Sequence, residues 1–373
     1  PMAHLETDVL VAGAGGAGMY AAVTAACEGA KVVLADKSLV GRGGATIMAQ
    51  MTVAGAVGEW EPDHWTHHFA DTVAAGRGLC NERLSAILCE EAPVRIREMD
   101  TWKVGWARED GRMRAVMAPG HNIPRCVYVD FLNTGPAVAK TLRTQVRRRN
   151  HLRRAGELAI TSVVVKEGQV VGAVGLNLGT GEAVRIDAKV VILAAGGLTR
   201  LYRRNSASVN MGGDAYALAL RAGAGLIDME FVQFFPIGHL APRMVDMDPI
   251  MWDPFRYKLG GRLLNGDGEE FVQNYGHAEA TDKYTAPRDV ASYAILQEVA
   301  AGRGSPAGGA FLSFEHISET ELRQAFGPVI DRLAANDIDL TKRSIEVAPI
   351  AHYHMGGVRV DARMETEVPG LFA

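Results

Sequence analysis

The N-terminal sequence places apolar and glycine-rich segments in an order that predicts a βαβ unit. Asp8 to Ala12 form a short apolar run, D-V-L-V-A, and Gly13 to Gly18 follow it directly. The alanine-rich segment from Met19 to Ala26 then favours a helix, and Gly29 is placed to end it. The apolar run K-V-V-L-A, closed by Asp36, predicts a second strand.

A second strand-forming region lies between positions 161 and 197. The stretch from Thr161 to Ile186 alternates in polarity, and its turn signals at Glu167-Gly168 and at Gly179 to Gly181 predict an antiparallel meander. The apolar run from Ala188 to Gly197 ends in glycines, as expected where another parallel strand brings its backbone close to a ligand. The predicted fold class is therefore α/β, with a parallel sheet and an inserted β-meander.

Two local patterns in the second half of the chain predict further elements. Residues 229–238 read M-E-F-V-Q-F-F-P-I-G, which predicts a buried strand over Met229 to Phe234 that ends near the proline. Residues 285–289 read T-A-P-R-D, which predicts the start of a helix with Thr285 as its cap and Pro287 in its first turn. Both segments also contain side chains that are candidates for chemistry.

The composition is that of a soluble globular protein and excludes some classes of partner. The 373 residues are 48% hydrophobic and 22% charged, with a net charge of −4. This balance does not indicate a surface for nucleic acid or for an anionic membrane. The arginines at 147–149, with Arg153 and Arg154, predict a solvated helix face.

Neither a metal site nor a membrane span is predicted. The four cysteines lack the spacing of zinc or iron–sulfur ligands, which favours a reducing compartment. His64, His67 and His68 follow helical spacing, and we interpret them as part of a helix rather than as metal ligands. No apolar stretch approaches the about 18 residues that span a bilayer, and no secretory signal precedes the first strand, so we expect a cytoplasmic protein.

The glycine loop is a candidate dinucleotide site. A G-x-G-x-x-G segment between a strand and a helix lets the backbone approach a pyrophosphate at the helix N-terminus. Asp36 lies about 20 residues beyond the glycines, where a carboxylate can accept hydrogen bonds from a ribose diol. The loop residues proposed to contact the cofactor are Gly13, Ala14, Gly15, Gly16, Ala17 and Gly18. This motif alone does not distinguish NAD from FAD.

Further motifs follow in order along nearly the whole chain. They are K-S-L-V-G-R-G-G-A-T-I-M-A-Q at 37–50, R-C-V-Y at 125–128, N-M-G-G-D-A-Y-A-L-A-L-R-A-G at 210–223, E-F-V-Q-F at 230–234, P-R-D at 287–289 and H-Y-H-M-G-G at 352–357. With the glycine loop, they resemble the flavoprotein subunit family of fumarate reductase and succinate dehydrogenase, whose relatives include L-aspartate oxidase. The family's pattern continues past V-P-G-L-F-A, so the chain resembles a C-terminally incomplete member.

The resemblance implies FAD as the cofactor. In the membrane-bound members a histidine just before the T-x-x-A-Q segment carries FAD covalently, whereas this sequence has Ala45 there. The resemblance therefore implies FAD that is held non-covalently. Beyond the glycine loop, the residues expected to lie along it are Asp36, Lys37, Ser38, Gly43, Gly44, Ala45, Thr46, Gln50, Ala194, Gly196 and Asp214.

The resemblance also implies a mechanism, in which a hydride passes through flavin N5 and Arg288 carries the proton to or from the substrate. The family returns that proton through an acid and a second arginine three residues apart, a spacing that Asp253 and Arg256 match. Here an aspartate replaces the family's usual glutamate. His352 matches the histidine that binds the substrate carboxylate.

Two departures from the family pattern affect the expected substrate. Phe235 stands where the family has a histidine, and Trp252 where it has a threonine, so both are expected to line the substrate site. Each change removes a hydrogen-bond partner worth about 1–3 kcal/mol and adds apolar bulk. We therefore expect an organic acid other than fumarate or succinate. Two alternatives stay open: a non-catalytic or electron-transfer flavin-binding subunit of a larger redox complex, and an L-aspartate oxidase-like enzyme.

The resemblance implies two domains and two classes of partner. A Rossmann-like FAD-binding domain is expected from residues 1–234 and 350–373, with an α+β capping domain inserted at 235–349. The expected partners are a small organic acid and an iron–sulfur electron-transfer subunit, with no nucleic acid. The chain itself is not expected to be integral to a membrane. Binding to such a subunit would place it peripherally at the inner membrane.

Overall fold

The structure, a computed structural model, describes residues 2–118, 120–130, 133–242, 252, 259–275 and 286–373. The helices in this part of the chain are α1 (Gly16–Cys27), α2 (Ala45–Met48), α3 (Trp65–Ala75), α4 (Glu82–Thr101), α5 (Thr134–Arg147), α6 (Asp214–Ala222), α7 (Arg288–Ala300), α8 (Glu319–Phe326) and α9 (Pro328–Ala334). None of these described helices combines the length and the apolar character that a membrane span requires.

The strands in the same residues have nine residues or more in six cases and four or fewer in the others. They are β1 (Ala3–Ala12), β2 (Val32–Ala35), β3 (Val53–Ala54), β4 (Arg108–Glu109), β5 (Arg112–Met113), β6 (Ala115–Val116), β7 (Cys126–Val127), β8 (Leu152–Ala155), β9 (Leu158–Lys166), β10 (Gln169–Asn177), β11 (Ala183–Leu193), β12 (Leu226–Ile227), β13 (Val232–Ala241), β14 (Arg262–Leu264), β15 (Ala310–Ser313), β16 (Ile345–His354), β17 (Gly357–Val358) and β18 (Leu371–Phe372).

The chain forms two compact units whose bounds differ from those of the predicted domains. The first unit contains residues 1–198, 208–228 and 357–373, and the second contains residues 199–207 and 229–356. Residues 199–207, 229–234 and 350–356, which the prediction gives to the FAD-binding domain, belong to the second unit. The physical reason is strand pairing, because β13 and β16 hydrogen-bond to each other along most of their length.

The first unit is built on a sheet in the order β8-β2-β1-β11-β10-β9, with β18 also paired to β11. β1 is parallel to both β2 and β11, and β2 is parallel to β8. All four residues of β2 are buried, as are Leu10 and Val11 of β1. Such uniformly apolar strands suit a parallel sheet that is covered on both faces. The predicted α/β fold class is confirmed.

The predicted meander is formed by β9, β10 and β11, which pair antiparallel in that order. Its first turn consists of Glu167 and Gly168, with φ angles of 52° and 79°. A two-residue hairpin with positive φ at both positions matches the right-handed twist of the strands that it joins. The local turn chemistry is therefore sufficient to explain why this part of the sequence was predictable.

The second unit is built on an antiparallel sheet in the order β13-β16-β15-β14. Its core contains apolar side chains from the sheet and from α7, including Ile237, Leu312, Phe314 and Ile295, each with no exposed surface. Helix α7 packs against β13 and β16. This arrangement is of the α+β class.

The strand predicted over 229–234 begins later and ends later than expected. β13 starts at Val232 and continues through Pro236 to Ala241, instead of ending near the proline. A proline lacks the N–H that a central strand needs, but an edge strand tolerates it. Among the described strands β13 pairs only with β16, and the register shifts between Phe235 and Gly238, so Pro236 needs no ladder bond.

Helix α7 begins at Arg288, with Pro287 as its N-cap rather than within its first turn. Thr285, the predicted cap, lies outside the described residues. Near the other end, the carboxylate of Glu298 is buried and accepts hydrogen bonds from Arg303 at 2.9 and 2.8 Å and from Asn265 at 3.0 Å. These bonds, those from Arg303 above all, lower the pKa of Glu298 to about 2 despite its burial. The helix is thus fixed close to its C-terminus.

Substitution of this carboxylate should destabilise the protein. Glu298→Gln leaves the Arg303 guanidinium without its buried counter-ion, so we expect the free energy of unfolding in urea to fall by about 1–3 kcal/mol at pH 7. Because the pKa of Glu298 is lowered by folding, this contribution is complete above the ordinary carboxyl pKa of 4.5 and is lost as the pH falls toward about 2. The difference from wild type should therefore begin to shrink below pH 4.5.

Glu319→Gln is the matched control, because Glu319 forms an exposed i,i+4 pair with Arg323. Its effect should stay within about 0.5 kcal/mol. Equal destabilisation by the two substitutions would contradict the assigned role of Glu298.

Candidate functional site

The glycine loop packs directly on the end of β11. Gly13 has a φ of +109°, and a Cβ there would lie 2.3 Å from the carbonyl oxygen of Ala194. A Cβ on Gly18 would lie 1.8 Å from the carbonyl oxygen of Gly13. Neither position accepts a side chain, so these two glycines are required by contact within the protein itself.

Gly15 and Gly44, in contrast, are glycines with open space around them. A Cβ on Gly15 would meet only the Thr46 hydroxyl, at 4.0 Å, and a Cβ on Gly44 would meet only Gly15, at 3.9 Å, among the described atoms. Gly15 is the N-cap of α1, and it offers that helix no side-chain cap. The N–H of Gly16 donates to Oγ1 of Thr46 at 2.9 Å. A helix N-terminus bordered by glycines in this way fits the pyrophosphate of a dinucleotide.

Asp36 ties the glycine loop to the end of β2. Its carboxylate is buried and accepts hydrogen bonds from the N–H of Ala14 at 2.7 Å and from the N–H and hydroxyl of Ser38 at 2.7 and 2.8 Å. The carboxylate is therefore oriented by the protein before any ligand arrives. Its role as an acceptor for a ribose diol stays a prediction.

A cavity of about 50 Å³ lies beside Asp36 in the first unit. Lys37 and Asp214 form an ion pair at its wall, and Nδ2 of Asn210 donates to Oγ of Ser38 at 2.8 Å. Its lining consists of Ala12, Gly13, Ala35, Asp36, Lys37, Leu158, Ala159, Ile160, Ala195, Asn210, Asp214 and Leu218. Predicted cofactor residues from three separate segments of the chain thus come together here.

The sequence interpretation missed part of this lining. Asn210 belongs to the N-M-G-G-D segment, so a signal was present although no role was assigned to it. Ala159 and Ile160 lie on β9 and have no sequence signal of their own. The chain passes from β8 into β9 beside the end of β2, where the N–H of Leu158 donates to the carbonyl oxygen of Asp36.

The remaining predicted cofactor residues are spread around the same loop. A Cβ on Gly43 would lie 2.3 Å from Nδ2 of Asn210, and Gly196 follows β11 with a φ of +75°. Ala17 lies in α1, and Ala45 is the first residue of α2. Gln50 is exposed after α2, and within the described residues no hydrogen bond joins it to the other candidates.

The second unit contains a separate group of candidate side chains centred on Arg288. Nη1 of Arg288 donates to Oε1 of Gln233 at 2.6 Å, and its guanidinium carbon lies 5.3 Å from the centre of the Phe235 ring. Arg288 starts α7, while Gln233 and Phe235 are two residues apart on β13. The side chain is therefore held by a polar contact and by a cation–π contact from the same strand.

His352 belongs to the same group. Its ring centre lies 5.7 Å from that of Phe235, and its Nδ1 is hydrogen-bonded to Oγ of Ser206 at 2.7 Å. Burial, and then the positive charge of Arg288, lower the pKa of His352 to about 4. At neutral pH the ring is therefore uncharged, with a single N–H to donate. Gln233 and Ser206 were not among the sequence candidates, although Gln233 lies within the quoted E-F-V-Q-F segment.

Trp252 lies in the core of the second unit. Trp252 has no exposed surface, its Nε1 donates to Nδ1 of His239 at 3.2 Å, and its ring lies 6.1 Å from that of Phe314. In the described structure it is a core side chain of the second unit. The predicted relay residues Asp253 and Arg256 lie outside the described residues.

Metal-binding geometry is weak in the part of the chain that the structure describes. The ligand atoms of His4, Glu6 and Asp187 lie within 4.8 Å of one another. However, Asp187 is also bound by Arg185 at 2.8 Å, and such pairing competes with a cation. His67 and His68 lie within α3, as the sequence predicted, whereas His64 is the N-cap that precedes the helix.

Comparison with known proteins extends over almost the whole chain. The family described as FAD binding domain matches residues 8–373. One subunit of the fumarate reductase (CoM/CoB) of Methanothermobacter marburgensis is 34% identical over 371 residues, which are 99% of this chain and 66% of the relative. The L-aspartate oxidase of Streptomyces coelicolor is 31% identical over 374 residues, which are 99% of this chain and 63% of the relative.

Solved structures give the same result. Sdh1 of Mycobacterium smegmatis has a TM-score of 0.89 at 34% identity, and the match covers all of this chain and 63% of Sdh1. A variant of the E. coli quinol fumarate reductase FrdA has a TM-score of 0.88 at 30% identity, covering all of this chain and 64% of FrdA. The chain thus spans about two thirds of the length of the relatives that it matches. It belongs to the FAD-binding family that includes fumarate reductase flavoprotein subunits and L-aspartate oxidases, and its cofactor is FAD.

Proposed function

We propose that this protein transfers a hydride between FAD and the C–C bond of an organic acid that is neither fumarate nor succinate. The observation that supports this is the group formed by Arg288, Phe235 and His352. It offers one cation, one neutral hydrogen-bonding ring and one apolar ring. Such a set suits a single carboxylate attached to an apolar body better than it suits a dicarboxylate.

Arg288 has two roles in the proposed reaction. FAD, when bound, accepts or supplies the hydride. The guanidinium attracts the substrate carboxylate. It also supplies a proton to the carbon atom next to that carboxylate, or receives the proton in the reverse direction. Gln233 keeps Nη1 of Arg288 on one side, so that the other nitrogens keep a fixed direction. A guanidinium that gives up a proton must regain it, for which Asp253 and Arg256 remain the proposed relay.

His352 supplies a neutral hydrogen bond beside that cation. Because its pKa is lowered to about 4, the ring stays uncharged over the whole neutral range. If Ser206 donates to Nδ1, the ring proton lies on Nε2 and is available to a substrate oxygen. A neutral donor binds a carboxylate less strongly than an imidazolium does, which again favours a substrate with one carboxylate.

We also propose that FAD is held without a covalent bond, since Ala45 has no nucleophilic side chain. The contacts of the glycine loop, Asp36 and Asn210 supply a dense set of polar groups for the dinucleotide. The Methanothermobacter relative is described as a subunit, which supports an electron-transfer partner, of the iron–sulfur type that the resemblance implies.

Two other functions have particular support. A flavin-binding subunit without its own substrate is favoured by Phe235 and Trp252, which are 2% and 0% exposed. Oxidation of an amino acid at its C–N bond is favoured by the likeness to L-aspartate oxidases. Both functions would retain the cofactor site of the first unit. An amino-acid oxidase would have its flavin reduced by an amino acid, whereas a flavin-binding subunit would have its flavin reduced or oxidised only by a redox partner.

Substitution of Arg288 tests the catalytic proposal. In Arg288→Ala, oxidation of the reduced flavin by the best acceptor from a panel of enoates should be slower by about 10²–10⁴-fold, because the proton donor is lost. The visible flavin absorption of the purified variant should be unchanged.

Arg323→Ala, which alters an exposed arginine of the same unit, serves as control. Turnover in Arg288→Ala at the control rate would refute the assignment, and no turnover by wild type with any enoate or amino acid would favour the function of a flavin-binding subunit.

Acid precipitation of the purified protein tests how FAD is attached. Denaturation abolishes non-covalent contacts, so all of the flavin absorption should appear in the supernatant. Flavin that stays with the washed pellet would show a covalent bond and contradict the proposal.

The identity of residue 235 tests the proposed substrate class. Phe235→His should tighten binding of succinate about tenfold, as measured by perturbation of the flavin spectrum, because it adds a hydrogen-bond partner for a second carboxylate. Phe235→Leu keeps an apolar side chain and should give no gain. An equal response to the two substitutions would show that residue 235 does not select against dicarboxylates.

A further inference from the structure

The arginine-rich segment R-R-R-N-H-L-R-R at 147–154 is not used by the proposed function. The sequence predicted a solvated helix face, but the structure divides the segment between two elements. Arg147 is the last residue of α5 and Arg148 is its C-cap. Arg153 and Arg154 lie on β8, and all four of these side chains are exposed. The expected helix face is therefore wrong for the second pair.

These positive charges have no counter-ions among the described residues. Within the described ranges, no ion pair involves Arg147, Arg148, Arg153 or Arg154. Arg149 instead donates from Nε to Sγ of Cys27 at 3.2 Å. Glu28, which is adjacent to Cys27, and Glu157, which follows β8, are exposed. In the part of the chain that the structure describes, they form no ion pair with the segment and leave its charge uncompensated.

Like charges also accumulate next to the segment. Burial, and then the positive charges of Arg42 and Arg147, lower the pKa of Arg143. The dipole of α5 favours cations at its C-terminus and so accounts for Arg147 and Arg148. It gives no reason for arginines at two consecutive positions of β8. A surface with this much uncompensated charge is typical of a site for a negatively charged partner.

We propose that the arginine segment, residues 147–154, binds an extended acidic segment of a partner polypeptide. The chain has 39 basic and 43 acidic residues, so without these five arginines its net charge of −4 would be −9. An otherwise acidic protein repels a long polyanion, such as a membrane surface or a nucleic acid, outside the contact itself. A short acidic peptide needs only the local patch.

The backbone of β8 supports the choice of an extended peptide. Among the described strands β8 pairs only with β2, so it is an edge of the sheet. The N–H of Val32 donates to His151 and that of Asp36 to Ala155, so the alternate residue Arg154 directs its N–H and C=O away from β2. A partner strand can add to such an edge. Its carboxylates would then be within reach of guanidinium groups that bind them in bidentate fashion.

Fluorescence anisotropy with two labelled peptides tests this proposal on the full chain carrying FAD. One peptide alternates Glu and Val, and the other alternates Gln and Val. The wild-type protein should bind the Glu peptide and not the Gln peptide, and the affinity should fall as salt shortens the Debye length from about 10 Å at 0.1 M to about 3 Å at 1 M. The double variant R148E/R153E should bind the Glu peptide at least about tenfold more weakly.

The variant R77E/R83E is the matched control. Arg77 and Arg83 are exposed residues of the same unit, and the substitutions change the net charge by the same amount. This variant should keep the wild-type affinity, and thermal unfolding of both variants should match that of wild type. Three results would overturn the proposal: absence of Glu-peptide binding by wild type, equal weakening in the two variants, or tighter binding to phosphatidylserine vesicles or duplex DNA than to the peptide. Self-association of R148E/R153E with unchanged peptide affinity would also overturn it, because the arginines would then only protect the strand edge.

Discussion

The cofactor site of the first unit depends on one backbone contact, the packing of the glycine loop against the end of β11. Gly13 approaches Ala194 so closely that no side chain fits between them. β1 and β11 are parallel and end level with each other, at Ala12 and Leu193. Because the carboxyl ends of parallel strands share one edge of a sheet, the loop, Asp36 and Ala194 all meet there. Helix α1 starts from this point, and its N-cap Gly15 supplies no side-chain cap.

In the second unit, helix α7 and strand β13 together position an arginine, Arg288. Helix α7 is fixed near its C-terminus by Glu298, whose hydrogen bonds are made with Arg303, Asn265 and Tyr275. Its first residue, Arg288, meets Gln233, a neutral amide. This amide accepts from Nη1 and so fixes one edge of the guanidinium.

Phe235 combines packing with chemistry. It is buried in the core of the second unit, and yet its ring faces both Arg288 and His352. The same burial that stabilises the unit lowers the pKa of His352 and so keeps that ring neutral. A histidine at position 235, as in the family pattern, would instead add a polar group to this environment. The substrate class proposed above therefore depends on how far water is excluded from the interior of this unit.

The sequence alone determined the local features, namely the βαβ unit and the meander with its Glu167-Gly168 turn. It also contained the motifs that identify the family and imply FAD as the cofactor. Each depends on short-range rules of period, turn chemistry and spacing. It did not predict that β13 continues through Pro236, because only the sheet shows that β13 is an edge among the described strands. Nor did it predict the contacts of Ser206 with His352 or of Asn210 with Ser38, or that Trp252 is a core residue. Those contacts join residues distant in sequence, which only tertiary packing brings within hydrogen-bonding distance.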